Sequence, residues 1–102
     1  MVLFRRMLGD VLRDERMQRG MTLREVSAEA RVSLGYISEI ERGQKEASSE
    51  LLASLCSALG VPLSSVLRSV SDAVATEERA VAEALGATPM PVPRVEPVAS
   101  AA

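Results

Sequence analysis

The residues best suited to do chemistry lie between positions 34 and 45, and the chemistry they suit is hydrogen bonding. Wound as a helix at about 100° per residue, residues 34–42 set Gly35, Ser38, Glu39 and Arg42 on one side and Ile37, Ile40 and Glu41 on the other. Tyr36 falls at the margin and Leu34 at the exposed start. A small, polar outward face on a short helix suits insertion into the major groove of double-stranded DNA. Glu39 is placed to accept from a cytosine amino group, Ser38 to meet a base or phosphate, and Arg42 to hold a phosphate. Tyr36 offers a ring for packing and a hydroxyl for phosphate, while Gln44 and Lys45 follow where a flanking phosphate would pass. Gly35 costs its helix about 1 kcal/mol, and a missing side chain would let the helix approach the bases. Alone, Glu39 would be a solvated glutamate and Gly35 a tolerated residue near a helix start. The surrounding pattern lifts both above that reading.

Covalent chemistry finds little support. There is no histidine, Cys56 is the only cysteine, and the carboxylates fall on solvated helix faces, so neither an enzyme nor a cofactor or metal site is expected. Cys56 fits a small buried hydrophobe, and no intrachain disulfide can form. Net charge is −2 overall, but residues 1–45 hold nine Lys/Arg against seven Asp/Glu and residues 46–102 three against seven. An anionic partner therefore belongs on the N-terminal half. No apolar run approaches the roughly 18–20 residues of a membrane span. Asp10 and Arg13 follow closely on Arg5 and Arg6 where a secretory signal would be apolar. A soluble, cytoplasmic chain with no membrane association is expected.

The elements that position the polar face are legible from their boundaries. Thr22 and Glu25 form T-x-x-E, a capping box, and Met21 with Val26 has the spacing of a hydrophobic staple. Ser33 caps the next helix, Val32 with Ile37 repeats the staple, and Gly43 marks the end after Arg42. Residues 22–42 thus read as a helix-turn-helix. Thr22, Ser33 and the first amides of both helices, Leu23 at the start of helix two among them, suit phosphate contacts. Residues 4–19 form a first helix around Leu8, Val11 and Leu12; a fourth is capped by Ser48 or Ser49, carries Leu51, Leu52, Leu55, Ala58 and Leu59 on one face and is closed by Gly60; residues 63–69 form a short fifth. No strand pattern competes, and the aliphatic composition, with one Phe, one Tyr and no Trp, suits an all-α bundle.

Glu41 lies on the core side of helix three, where an unpaired carboxylate is costly. Arg16 on helix one is the expected partner, in an ion pair with a structural role. After Val70 the composition becomes Ala-rich, predicting a separate helix over 70–86 with Val74, Val81 and Leu85 on one stripe. That stripe is too narrow for a core and is a candidate dimerisation element. Residues 87–102, with four prolines between 89 and 97, form a Pro/Ala-rich tail expected to be flexible.

Residues 12–67 resemble the Cro/C1-type (XRE) helix-turn-helix family through LRDERMQRGMTLREVS, VSLGYISEIERG, SSELLASLCSALGV and the closing VLRS. Residues 1–11 then supply the N-terminal part of helix one. Within the family, TLREVSAEARVSLGYISEIERGQKEASSELLASLC is similar to actinobacterial regulators of Clp genes. The resemblance implies a five-helix, lambda-repressor-like DNA-binding domain plus an additional C-terminal helix. It also implies a homodimeric transcription activator of Clp protease and stress-response genes, and turnover by Clp protease through a small-residue tail, here Val98, Ala99, Ser100, Ala101 and Ala102. Ala47 stands where the family often has Pro, and Pro62 where it often has a capping Ser or Thr.

One domain of this size offers few base contacts, so a pseudo-palindromic site with half-sites about 34 Å apart is expected for a two-fold dimer. Glu25 and Glu29 on helix two are candidates to face RNA polymerase. The alternatives are a repressor on the same kind of operator and an antitoxin-like protein-interaction module with the same fold.

Overall fold

Three of the helices start on a side chain that the sequence marks as a cap. The computed structural model describes residues 3–86, which form α1 (Phe4–Gln18), α2 (Leu23–Ala30), α3 (Leu34–Glu41), α4 (Ser49–Leu59) and α5 (Leu63–Ala84), with no strand among them. The Glu25 amide donates to Thr22 Oγ1 at 3.1 Å and the Thr22 amide to Glu25 Oε1 at 2.8 Å, completing the capping box of α2. Ser33 and Ser48 each accept from the amide three residues on, at 3.1 Å, and open α3 and α4. Pro62 precedes α5 and, as its side chain dictates, supplies no cap hydrogen bond. The expected ends of α1 and α3 each move inward by one residue, to Gln18 and Glu41.

The fifth helix departs from expectation. The predicted short helix over 63–69 and the separate one over 70–86 are a single 22-residue helix, α5. No glycine or proline lies between Leu63 and Leu85, so nothing breaks the hydrogen-bond ladder. Val66, Val70 and Val74 continue one stripe at four-residue steps across the compositional boundary. Val66 and Val70 are fully buried, and Val74 packs against the core. Of the three residues expected to meet a second copy, Val74 is therefore already engaged within the protomer. Val81 and Leu85 are 39% and 78% exposed.

The core is aliphatic. Leu8, Val11 and Leu12 of α1 meet Val26, Ile37 and Ile40 of the helix-turn-helix, and Leu55, Cys56 and Leu59 of α4 close the cluster. α1 packs on both α3 and α5, and α2 packs on both α3 and α4. α3 is thus held on a scaffold of α1 and α2. Among the described residues no single helix is long and apolar enough to cross a membrane. The small-residue segment Val98–Ala102, expected as a protease signal, lies outside the described residues.

Candidate nucleic-acid interface

The turn between α2 and α3 is three residues, Arg31, Val32 and Ser33. It is folded by local hydrogen bonds. Arg31 adopts a left-handed conformation, φ 58° and ψ 44°, and its amide donates to the Ser27 carbonyl. The Val32 amide donates to the same carbonyl at 3.3 Å, and Ser27 Oγ donates back to the Val32 carbonyl at 2.5 Å. The chain reverses here without glycine, at a cost of about 1–2 kcal/mol in backbone conformation. Neither Arg31 nor Ser27 is marked by the sequence pattern, because Arg is not a residue type that signals positive φ.

The outward face of α3 is largely as the helical projection sets it. Leu34, Gly35, Tyr36 and Arg42 are exposed, whereas Ser38 and Glu39 are half-covered and Ile37 and Ile40 are buried. A side chain at Gly35 would meet nothing within 4 Å. The fold itself therefore imposes no glycine there. Arg42 hydrogen-bonds through Nη1 to Ser38 Oγ and through Nη2 to Gln44 Oε1 at 3.3 Å, linking three of the predicted contact residues in one row. Lys45 continues that row into solvent. The Tyr36 hydroxyl, a candidate for phosphate, here donates to the Glu46 carbonyl at 3.2 Å and ties α3 to the following connector. At the helix starts, Thr22 and Ser33 spend an oxygen lone pair on their caps, and each keeps its hydroxyl hydrogen for an outside acceptor. Leu23 is half-buried against the core, which leaves its backbone as the part facing outward.

Behind this face, Arg16 and Glu41 meet in a bidentate pair. Arg16 Nε donates to Glu41 Oε2 at 2.7 Å and Nη2 to Oε1 at 3.0 Å, with the side chains 11% and 8% exposed. Arg16 Nη1 also donates to the Met21 carbonyl at 2.8 Å, so one guanidinium joins α1, the entry to α2 and the end of α3. The hydrogen bond that Arg16 donates to Glu41 holds the guanidinium above its usual pKa, against desolvation that pulls it down.

The N-terminal turns of α1 carry contacts the sequence pattern does not announce. A Cβ on Gly9 would lie 2.3 Å from the Ile40 carbonyl oxygen and 2.8 Å from that of Glu41. Only glycine allows α1 to cross α3 so closely. Gly43 takes φ +74° at the end of α3, and a Cβ there would lie 2.9 Å from Arg6 Cα. Arg5 Nε donates to the Gly43 carbonyl at 2.9 Å. A mid-helix glycine was the available signal for Gly9; Arg5 carried none.

Comparison with known proteins follows the same boundaries. Residues 12–66 match the helix-turn-helix family model. The transcriptional regulator ClgR of Mycobacterium tuberculosis is 61% identical over 77 residues, which cover 76% of this chain and 69% of that protein. A crystal structure of the clp gene regulator ClgR from Corynebacterium glutamicum superposes with a TM-score of 0.74 at 48% identity, covering 83% of this chain and 88% of that one. A second crystal structure of the same regulator gives 0.69 at 51% identity, covering 72% and 95%.

Proposed function

The chain belongs to the helix-turn-helix family and is a homologue of the ClgR transcriptional regulators, and from that premise we propose that it binds a pseudo-palindromic operator as a homodimer and activates transcription of Clp protease and stress-response genes. The observation that carries the reading is the outward row that runs from α3 past its C-terminal end, in which Ser38, Arg42 and Gln44 are joined by hydrogen bonds beside an unobstructed Gly35. Such a row presents donors and acceptors at a fixed register, which is what base-edge recognition requires.

In this reading Gly35 admits the helix to the groove, Ser38 and Glu39 meet base edges, and Arg42, Gln44 and Lys45 hold phosphates. Thr22, Ser33 and the first amides of α2 and α3 orient the protomer on the backbone. Arg16 and Glu41 keep α3 at its angle and touch no base. Val81 and Leu85, at the far end of α5 from the exposed Leu63 and Leu67, are the apolar residues assigned to a second protomer, and Glu25 and Glu29 of α2 are assigned to RNA polymerase.

Transcription in vitro with purified polymerase and a Clp-gene promoter tests the activator role. Transcript levels rise with added protein if the reading holds, and a fall would assign repression. Recognition by Clp protease through Val98–Ala102 belongs to the same proposal: Ala101→Asp with Ala102→Asp lengthens the cellular half-life, and an unchanged half-life refutes it.

A further inference from the structure

The first turn of α1 places two arginines where they do not help the helix. Arg5 and Arg6 sit at the positive end of the macrodipole, with no acidic residue in that turn and no side-chain cap to offset them. No carboxylate pairs with either among the described residues, where the ion pairs are Arg16–Glu41 and Arg19–Glu15. Arg5 is half-buried and fixed by its bond to the Gly43 carbonyl, while Arg6 is exposed and rests its backbone and Cβ on Gly43.

Gly43 is also the residue between Arg42 and the Gln44–Lys45 pair, so its surroundings gather Arg5, Arg6, Arg42 and Lys45. Of the carboxylates nearest in sequence, Glu41 is taken up by Arg16, while Glu39, Glu46 and Asp10, one turn along α1, form no ion pair among the described residues. Four cations converge on the end of the proposed recognition helix, two of them from an element outside the helix-turn-helix. We infer that Arg6, with Arg5 fixed behind it, extends the DNA-phosphate surface from the end of α3 onto the first turn of α1. This rests on the DNA-binding reading and adds a contact to it. The contact takes a backbone phosphate beyond the bases read by α3, so it contributes affinity without sequence preference.

The test is Arg6→Gln in the full chain, which retains the Cβ and Cγ lying against Gly43 and removes only the charge. Binding is measured on the duplex recovered by selection and on a mixed-sequence duplex, across KCl from about 50 to 200 mM. Each phosphate contact contributes a slope of about −0.9, so the affinity gap between parent and Arg6→Gln narrows about 3.5-fold per bound protomer over that range. The inference expects this narrowing on both duplexes alike, an unchanged melting temperature, a parental slope for Arg6→Lys and a larger loss for Arg6→Glu. A parental slope for Arg6→Gln overturns the inference and leaves DNA binding intact, as does a change in sequence preference without a change in slope. If the parent chain binds neither duplex, the DNA-binding reading fails and this contact falls with it.

Discussion

Replacing Gly35 and Gly9 by alanine in separate proteins makes one chemical change with two opposite expectations. At Gly35 the new methyl group meets nothing within 4 Å, so the folded protein gains the helix propensity of alanine, about 0.5–1 kcal/mol near a helix start. The melting temperature should rise by about 2–8 °C for a domain of this size. At Gly9 the methyl would sit 2.3 Å from one carbonyl oxygen and 2.8 Å from the next. Those atoms belong to the backbone of α3 and cannot turn aside without lifting α3 from α1. Overpacking of this kind costs about 3 kcal/mol, less the same propensity gain of about 1 kcal/mol. A net loss of about 2 kcal/mol lowers the melting temperature by about 8–16 °C. Calorimetry reads both. Fluorescence anisotropy on the selected duplex then separates fold from function. Gly35→Ala should bind at least about fivefold more weakly despite its stability, the cost of a single misfit at a base edge being about 1–3 kcal/mol. Parental affinity for Gly35→Ala would refute close approach as the reason for that glycine. Parental stability for Gly9→Ala would refute the crossing geometry of α1 and α3.

Glu41→Ala leaves Arg16 with a buried, half-partnered guanidinium and should cost about 3 kcal/mol, a fall of about 12 °C or more by thermal melting; a parental melting temperature would rule out the pair as a structural tie. Burial, with Glu15 nearby as the lesser cause, pushes the Cys56 thiol up from its ordinary value. A group whose pKa is raised by folding stabilises the fold below its unfolded value and loses that stabilisation as pH rises through the folded value. Stability should therefore decline above about pH 9 more steeply in the parent than in Cys56→Ala, as denaturant melts at stepped pH will show, and parallel declines would contradict it. Leu85→Glu, with or without Val81→Glu, should shift sedimentation from dimer to monomer and make the melting temperature independent of protein concentration, and an intact dimer would place the interface elsewhere. Truncation after Ser69 is a poor substitute, because it also removes the buried Val70.

Much of the scaffold was legible because its signals are local. Thr22, Ser33 and Ser48 cap through hydrogen bonds three residues long, so their geometry is written in adjacent positions. The Arg16–Glu41 juxtaposition was legible for a different reason: a carboxylate on the inner face of α3 needs a cation, and the helical projection leaves few. The division of α5 was misread because a change in composition is not a structural break, and the valine stripe runs on through it. Gly9 was legible only as a mid-helix glycine without a role, and Arg5 not at all, because their partners, Ile40, Glu41 and Gly43, lie across the fold. Arg31 was illegible because its left-handed turn is imposed by the closure of α2 on α3 and not by its own residue type. The role of Tyr36 depends on the path of the connector, which no periodicity encodes.

Selection of bound sequences from random duplex DNA by the full chain, at a stated salt concentration, decides whether the exposed face of α3 reads bases. One inverted repeat with half-sites about a helical turn apart is expected. On that site Glu39→Ala should relax preference at one symmetric base position, while Lys45→Ala weakens all sequences alike. Recovery of no motif, with only weak and salt-sensitive binding, would contradict the account and assign the exposed face of α3 to a protein partner.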